Sequence, residues 1–305
     1  MLKNQKKYIQ AFLIAIFFIS NITAMKRFVA MGDPHAGRSK FKTHYLDFIL
    51  KMKKQYPKID KVFIPGDLTD SNKIGCSLYC NSKWGKEISG IFDYGQWGKL
   101  CSSWVNPLKR AGMKVFMTLG NHDLYNHMEG KKDKLQPIFI GDMLKAHYYK
   151  YDHKFTKSDI AYAFKEDNCY FICCGVYPDK EIQAWLKIYL ANIVKANPVF
   201  FFFHYPVCGK KGSKDFRDGF YNTIKDYNVK AIFTGHVNSF THLWHDKIPV
   251  FSCGGTYFAV PKYNSITGNI DLKKSFFVGD DSNTSKTYKI KGYFDEELYN
   301  IEEIF

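Results

Sequence analysis

Short apolar runs alternate with amphipathic stretches along most of the chain. Runs rich in β-branched and aromatic residues predict strands, and they lie at 27–31, 61–64, 114–119, 169–174, 199–203 and 230–234. Apolar residues at helical spacing predict helices over 41–55, over 94–110, and between the fourth and fifth of these strands, through Trp185, Ile188 and Leu190. The alternation predicts a layered α/β domain.

The N-terminal segment differs from the rest of the chain. Three lysines within the first seven residues precede an unbroken apolar run, 11–19, and the small or polar residues that follow it up to Ala24 are interrupted only by Ile22. This order is typical of a secretory signal peptide, so we expect residues 1–24 to be removed and the mature protein to be secreted or periplasmic. The run is shorter than the roughly 20 apolar residues of a membrane span, so we expect no stable span. A buried first strand or helix and an uncleaved anchor are the alternatives.

Composition and charge narrow the class of protein. Of 305 residues, 46% are apolar and 24% are charged, which is typical of a globular protein and excludes a mainly disordered one. The formal net charge is +15, and removal of residues 1–24 takes away three lysines and leaves +12. We expect residues 25–305 to form a single domain with an insertion loop at about 71–93, a Gly-, Ser- and Cys-rich stretch.

The chain contains eight cysteines, an even number that permits disulfides in an exported protein. Their spacing favours a local bridge among Cys76, Cys80 and Cys101. The cysteines of the predicted strand 169–174 are expected to be buried thiols.

Polar side chains that can bind metal ions directly follow five of the predicted strands. They are Asp33 with His35, Asp67, Asn121 with His122 and Asp123, His204, and His236. A single Asp at such a position is commonly a helix cap and a single His a satisfied core residue, but five groups in succession favour one shared site. The carboxyl ends of strands converge in open α/β sheets, so we expect the groups to meet there. Such ligands suit Mn, Fe, Zn or Co, and two ions about 3.5–4 Å apart can promote hydrolysis by in-line displacement.

The ordered motifs resemble those of the calcineurin-like metallophosphoesterase family. They are Asp33-Pro34-His35, Gly66-Asp67, Gly120-Asn121-His122-Asp123, His204 and Gly235-His236, and the resemblance covers roughly residues 27–260. It implies a four-layer α/β/β/α sandwich with two mixed β-sheets and a bimetal site at the C-terminal ends of the strands. It also implies hydrolysis of a phosphomonoester or phosphodiester by a metal-bound hydroxide.

The resemblance assigns a role to each member of the set. It implies that the first metal ion is bound by Asp33 and His35, that both ions are bridged by Asp67, and that the second ion is bound by Asn121, His204 and His236. It further implies that His122 acts on the substrate phosphate as a general acid or hydrogen-bond donor, with its imidazole oriented by Asp123.

Two positions depart from related patterns. The family usually has a second histidine where this chain has Asn238, whose amide oxygen is a weaker ligand for the first metal ion. We therefore expect that ion to be held loosely, to be absent, or to be Mn²⁺, which tolerates an amide oxygen better than Zn²⁺ does. His242 and His245 are alternative ligands. Purple acid phosphatases carry a tyrosine three residues after the bridging Asp, and Asp70 stands there in this chain, which argues against that branch.

The expected partner is an anionic phosphoester, and nucleotides and other small phosphoesters are the candidates. Basic residues cluster within 131–134 and 210–217, and they form either a field that attracts anions or a solvated charged face. No nucleic-acid motif is present, so we expect no specific nucleic-acid readout, and the sequence does not specify an oligomeric state. The alternative function is a non-catalytic or weakly active protein that binds phosphate or phospholipid headgroups, which Asn238 alone favours.

Overall fold

A computed structural model describes most of the predicted domain. The described residues are 25–36, 44–69, 99–124, 153–155, 161–206, 214–237, 240–245, 247–254, 257–271, 276–281, 286–291 and 300–303. Outside them lie the predicted signal peptide, the insertion loop, the basic cluster 131–134, half of the basic cluster 210–217, Cys76, Cys80 and Asn238. The predictions for these residues stay predictions.

The described residues form fifteen strands and five α-helices. The strands are β1 (Met25–Met31), β2 (Ile59–Pro65), β3 (Lys114–Thr118), β4 (His153–Phe155), β5 (Tyr162–Glu166), β6 (Cys169–Cys173), β7 (Val199–Phe203), β8 (Val229–Thr234), β9 (Phe240–His245), β10 (Ile248–Cys253), β11 (Tyr257–Val260), β12 (Lys262–Asn264), β13 (Phe276–Asp281), β14 (Lys286–Lys291) and β15 (Asn300–Glu303). The helices are α1 (His44–Gln55), α2 (Asn106–Arg110), α3 (Asn121–Leu124), α4 (Lys180–Ala191) and α5 (Lys214–Ile224).

The six strands predicted from apolar runs are present, and so are the predicted helices as far as they are described. The described part of the predicted helix 94–110 contains a π-helical turn, Cys101–Val105, which buries Trp104 before α2 begins. None of the described helices combines the length and apolar character that crossing a membrane requires.

The strands pair into two sheets. One has the order β15-β14-β13-β11-β1-β2-β3, with β12 also paired to β1, and the other has the order β4-β5-β6-β7-β8-β10-β9. In the first sheet β1, β2 and β3 are parallel while β11 to β15 pair antiparallel, and in the second β6, β7, β8 and β10 are parallel with antiparallel edges. Both sheets are therefore mixed.

A layer of phenylalanines fills the space between the sheets. Phe63 of β2 stacks on Phe202 of β7, with ring centroids 3.8 Å apart and planes 7° from parallel. Phe28 of β1 meets Phe200 and Phe233 of the opposite sheet edge-on, at 5.7 and 5.3 Å. Burying these aromatic surfaces is the main force that holds the two sheets together.

Helices cover the outer faces of both sheets. On the second sheet, α4 buries Ile182, Leu186 and Leu190 in the same apolar cluster as residues of β7 and β8. On the first sheet, α1 and α2 belong to the cluster that contains β2 and β3. The predicted four-layer α/β/β/α sandwich is confirmed.

The layered arrangement brings strand ends from both sheets to one edge. Gly32, which follows β1, donates its backbone N–H to the carbonyl oxygen of Cys253 at the end of β10. The amide of Asp33 donates to the carbonyl oxygen of Gly66 at 3.0 Å, and that of Gly235 to His204 at 3.0 Å. These bonds join the loops that carry the polar motifs.

At another edge, ion pairs link the two sheets. Lys61 of β2 is fully buried, and its Nζ lies 3.0 Å from Glu166 Oε1 of β5 and 2.7 Å from Asp60 Oδ1. Lys114 of β3 lies 3.2 Å from Glu166 Oε2. The buried ammonium has two carboxylate partners, as a buried charge requires.

Candidate metal centre

Asp67 lies between two groups of imidazoles at the edge where the strand ends meet. Its Oδ1 is 3.3 Å from His204 Nε2, which comes from the second sheet. Its Oδ2 is 3.7 Å from His35 Nε2 and 3.8 Å from His122 Nε2, which follow strands of the first sheet. One carboxylate thus faces nitrogen donors from both sheets.

Candidate ligand atoms form two groups that share Asp67. One group is His35, Asp67 and His122, the other is Asp67, His204 and His236, and within each the ligand atoms lie within 4.8 Å of one another. Asn121 adjoins the second group, because its Oδ1 is 2.9 Å from His204 Nε2. The structure thus places His122 beside His35 among the candidate ligands. The resemblance implies instead that His122 acts on the substrate.

The backbone is unusual at these residues. Positive φ angles occur at Asp33 (58°), His35 (49°), Asp67 (47°) and His236 (66°), and the only other described non-glycine residue with one is Asp167. Such conformations disfavour residues with a Cβ and persist where surrounding contacts impose them. Their concentration here shows that the loops are held in shapes that direct these four side chains to one place.

Two glycines leave room for the carboxylates. A Cβ at Gly120 would collide with Asp67 Oδ1, and one at Gly254 would collide with Asp33 Oδ2. Gly120 belongs to a motif that the sequence analysis singled out. Gly254 follows β10 and belongs to none of these motifs. It lies close to Asp33 only because the ends of β10 and β1 meet in the fold.

The ring of His204 has a defined orientation. This residue is fully buried, and its Nδ1 lies 3.0 Å from the carbonyl oxygen of Pro65. The tautomer with hydrogen on Nδ1 donates to that oxygen and leaves the lone pair of Nε2 for a metal ion, a common arrangement for histidine ligands. Burial lowers the pKa of His204, but the carboxylates of Asp67 and Asp33 outweigh it and raise the pKa to about 8.

Asp33 provides a test of whether these residues fit a cation. Its Oδ1 accepts a hydrogen bond from the backbone N–H of His236 at 3.0 Å, whereas its buried Oδ2 has no hydrogen-bond partner among the described residues. Burial and the nearby charge of Asp67 raise the pKa of Asp33 to about 7, against the attraction of His204. A divalent cation favours the charged carboxylate and reverses this shift, so the donor set fits a metal centre.

Asp67 itself remains in the charged form. Burial works to raise its pKa, but the hydrogen bond and charge of His204, together with the backbone N–H and charge of His122, lower the pKa below its ordinary value. That N–H lies 2.9 Å from Asp67 Oδ1. Asp67, which has nitrogen donors on both sides, is therefore also held in its ionised form.

The alternative ligands on β9 differ in their distance from the centre. β9 runs antiparallel to β10, with Phe240 opposite Cys253 at the site edge and His245 opposite Ile248 at the other end. His245 is five steps along the strand from Phe240, a distance of about 17 Å at the usual rise per residue. His245 is therefore remote, and only His242 stays an alternative.

Asp123 forms a clasp between two loops. Its fully buried carboxylate accepts hydrogen bonds from the backbone N–H groups of Leu68 (3.1 Å), Thr69 (2.9 Å) and Gly120 (2.8 Å) and from the Thr69 hydroxyl (2.9 Å). Burial, with the charge of Asp67, raises its pKa to about 6 although the hydrogen bonds oppose this. The clasp joins the loops after β2 and β3, a role that the sequence analysis missed. Orientation of His122 by Asp123 stays a prediction.

Replacing Asp123 by alanine is expected to reduce the free energy of unfolding by about 3–5 kcal/mol, because it leaves several buried donors without this acceptor. Thr69→Val removes only the hydroxyl and should cost about 1 kcal/mol. Chemical denaturation measures both, with Asp226→Ala at an exposed turn as the control. A loss below about 1 kcal/mol for Asp123→Ala would contradict the clasp.

The structure tests the predicted burial of the cysteines in 169–174, but it does not describe two of the three cysteines that were predicted to form a bridge. Cys169, Cys173 and Cys174 are buried on or next to β6, and Cys253 is buried at the end of β10. There is no disulfide among the described cysteines, which also include Cys101. A bridge that involves Cys76 or Cys80 stays a prediction.

Comparisons with known proteins agree with this architecture. Among solved structures, the fold is similar to a purple acid phosphatase from yellow lupin (Lupinus luteus) seeds, with a TM-score of 0.53 and 13% identity over 85% of this chain and 54% of that one. The chain thus spans about half the length of the plant enzyme, and at this identity the likeness shows the fold alone.

Lower scores relate the chain to GAP50, the anchor in the inner membrane complex of Plasmodium (TM-score 0.48, 16% identity, 92% of this chain and 89% of that one). They also relate it to a putative 5′-nucleotidase from Staphylococcus aureus (0.42, 12%, 92% and 53%). No curated protein matches the sequence significantly. The model of the calcineurin-like phosphoesterase family matches residues 26–240, more than half of the chain. The protein therefore belongs to the calcineurin-like phosphoesterase family.

Proposed function

We propose that this protein hydrolyses phosphomonoesters or phosphodiesters at a centre of two divalent metal ions that Asp67 bridges. Membership of the family implies metal-dependent phosphoester hydrolysis in general. The observation that supports the finer proposal is the position of Asp67, whose two oxygens face separate groups of imidazoles. When bound, two such ions lower the pKa of a water molecule and neutralise charge on the phosphoryl group.

The ligands divide between the two sides of Asp67. Asp33 and His35 would hold the first ion, and the family pattern makes Asn238 a weak additional ligand for it. Asn121, His204 and His236 hold the second ion, and the carbonyl of Pro65 keeps the His204 ring in place. The negative charge of Asp67 offsets the repulsion between two neighbouring cations.

His122 donates a proton to the leaving-group oxygen in this proposal. Its side chain is about one quarter exposed, unlike the buried ring of His35, and its ring centroid lies 4.7 Å from that ring in an edge-on contact. An imidazole at the boundary between the centre and solvent can reach both a bound ester and bulk water. Those are the positions that a general acid needs.

The competing function is a protein that binds phosphate or phospholipid headgroups without hydrolysis. The observation that favours it is Asn238, which weakens the first ligand set relative to the family pattern. Asp33, His35 and Asp67 weigh against it, because all three are buried, and His35 and Asp67 belong to one group of candidate ligand atoms without any contribution from Asn238.

The test is hydrolysis of nitrophenyl phosphate and bis(nitrophenyl) phosphate by the purified protein. We expect activity that rises with added Mn²⁺, disappears on chelation and returns when Mn²⁺ is restored. Asn238→His should lower the Mn²⁺ concentration for half-maximal activity by about tenfold, because imidazole is the stronger donor. Asn192→His, at the exposed C-terminal end of α4, is the matched control.

One outcome would contradict the proposal, and another would contradict only the expected weakness of the first metal site. Failure to hydrolyse either ester with Mn²⁺, Fe²⁺, Zn²⁺ or Co²⁺, while phosphate still binds, would establish the competing function. Two ions that resist dialysis from the wild-type protein would show that Asn238 or His242 is a competent ligand.

A further inference from the structure

Three adjacent parallel strands of the second sheet each end in a loop that presents an aromatic ring. Tyr177 follows β6, Tyr205 follows β7, and His236 follows β8. The ring of Tyr205 meets that of His236 at 4.4 Å between centroids and 88° between planes. Tyr177 meets Tyr205 at 6.0 Å and 66°. The three rings form a row along the site edge, which starts at a candidate metal ligand and leads away from it.

Backbone contacts hold this row in place. The amide of Tyr205 donates to the carbonyl oxygen of Val176 at 2.8 Å, so the loops after β6 and β7 are joined directly beside the two tyrosines. Asp179, two residues after Tyr177, caps α4 by accepting a hydrogen bond from the amide of Ile182 at 2.9 Å. The loop that carries Tyr177 is therefore anchored at both ends.

The exposure of the row distinguishes it from the aromatic core. Phe203, which immediately precedes His204, is fully buried, whereas Tyr177, Tyr205 and His236 are all half-buried. Half-buried tyrosine rings offer a rigid apolar face and lose little conformational entropy when a planar group packs on them. A ligand held by metal ions at His236 would lie next to the Tyr205 ring, because that ring contacts the ring of His236.

We propose that Tyr205 and Tyr177 form a platform for a planar ring in the alcohol part of the phosphoester. This inference rests on the proposed function, since it places the ester at the metal centre next to His236. The preferred substrates are then esters whose alcohol carries a ring, either a nucleobase or a simple aryl group, in preference to plain alkyl esters. Tyr205 and Tyr177 act on specificity and take no part in proton transfer.

Equilibrium binding tests the platform without requiring catalysis. Benzylphosphonate and propylphosphonate have the same methylene–phosphonate group and differ in the ring. We expect the Mn²⁺-loaded wild-type protein to bind benzylphosphonate about tenfold more tightly by calorimetry. Tyr205→Leu and Tyr177→Leu should each reduce this preference about threefold or more, whereas Tyr205→Phe, which keeps the ring, should retain it.

A control variant separates the platform from a general effect of losing a tyrosine. Tyr227→Leu changes another half-buried tyrosine, which precedes β8 at the opposite end of the strand from His236. It should leave the preference unchanged. The metal content of each variant, measured before titration, separates loss of the ring from loosening of His236.

A substrate arm identifies the source of the ring. Adenosine 5′-monophosphate and ribose 5-phosphate are both esters of a primary 5′-hydroxyl of ribose, and only the first carries a base. A higher kcat/KM for the nucleotide that Tyr177→Leu abolishes supports a nucleobase, whereas a preference restricted to benzylphosphonate supports a simple aryl group.

Failure of this inference is distinguishable from failure of the proposed function. Equal binding of the two phosphonates by the wild-type protein, binding of neither, or a preference that survives both leucine substitutions would overturn the platform, even in an active enzyme. Absence of hydrolysis with an intact, tyrosine-dependent preference would overturn the hydrolytic function and support the platform as a binding surface.

Discussion

Asp67→Asn is expected to lower kcat/KM for phosphoester hydrolysis by at least about 10³-fold and to reduce the metal content of the purified protein. Electrostatic groups at reaction centres each contribute several kcal/mol, and every 1.36 kcal/mol is a factor of about ten in rate. Asp67 is the residue that faces both groups of candidate ligands, so both ions depend on it. Metal analysis and steady-state kinetics on the same preparation measure the two effects.

The substitution isolates charge from shape. Asparagine has nearly the size of aspartate, and its amide oxygen can still accept the hydrogen bond that the His122 N–H donates to Oδ1 at 2.9 Å. What disappears is the negative charge that His204 stabilises and that two cations require between them. We therefore expect unchanged circular dichroism and at most a modest change in thermal stability.

Asp226→Asn is the matched control, because it removes a carboxylate from an exposed turn beyond α5. It should leave both hydrolysis and metal content at the wild-type level. An Asp67→Asn protein with two metal ions and full activity would show that the bridging assignment is wrong.

The strands could be predicted because buried strands are continuous apolar runs in the sequence. The run at 199–203 consists only of apolar residues, and all five side chains of β7 are buried between the two sheets and the helices. In parallel strands covered on both faces, apolar runs are continuous, and polar residues can appear only where the strand ends. The order of runs and polar motifs therefore predicted a layered α/β domain and the edge where the motifs meet, whereas the division into two sheets was implied by the family resemblance.

Individual partners of the site residues could not be predicted in the same way. The family resemblance implied that Asp123 orients the imidazole of His122, but the carboxylate of Asp123 also accepts hydrogen bonds from the amides of Leu68 and Thr69, more than 50 residues away. Such a contact depends on how the loop after β2 passes the start of α3. Neither periodicity nor a local motif encodes that path.

The sequence also did not identify residues that lie at the site without being candidate metal ligands. Gly254 matters because it leaves space for Asp33, and Tyr205 because its ring meets His236. A glycine after a strand and a tyrosine before a proline are ordinary loop residues in isolation. These two residues come close to Asp33 and His236 only because the ends of neighbouring strands meet in the fold.

His122→Ala is expected to damage the hydrolysis of benzyl phosphate far more than that of nitrophenyl phosphate. An alkoxide leaving group needs a proton in the transition state, whereas nitrophenolate leaves without one. Positioned general acids contribute about 10²–10⁴-fold, so kcat/KM for benzyl phosphate should fall by that factor and kcat/KM for nitrophenyl phosphate by about tenfold or less. Both esters carry an aromatic ring, so the ring platform affects them alike.

Metal content decides between the two roles that the geometry allows for His122. The Nε2 of His122 is as close to Asp67 Oδ2 as that of His35 is, so His122 could also serve as a ligand in the place left by Asn238. A ligand's loss would lower metal occupancy and reduce the hydrolysis of both esters equally, and added Mn²⁺ would partly restore both. A general acid's loss leaves occupancy unchanged, and added metal does not restore the hydrolysis of benzyl phosphate.

His245→Ala, at the remote end of β9, is the control and should change neither metal occupancy nor hydrolysis. Selective loss at full occupancy is the result that we expect, because His122 is the more exposed of the two rings beside Asp67 Oδ2.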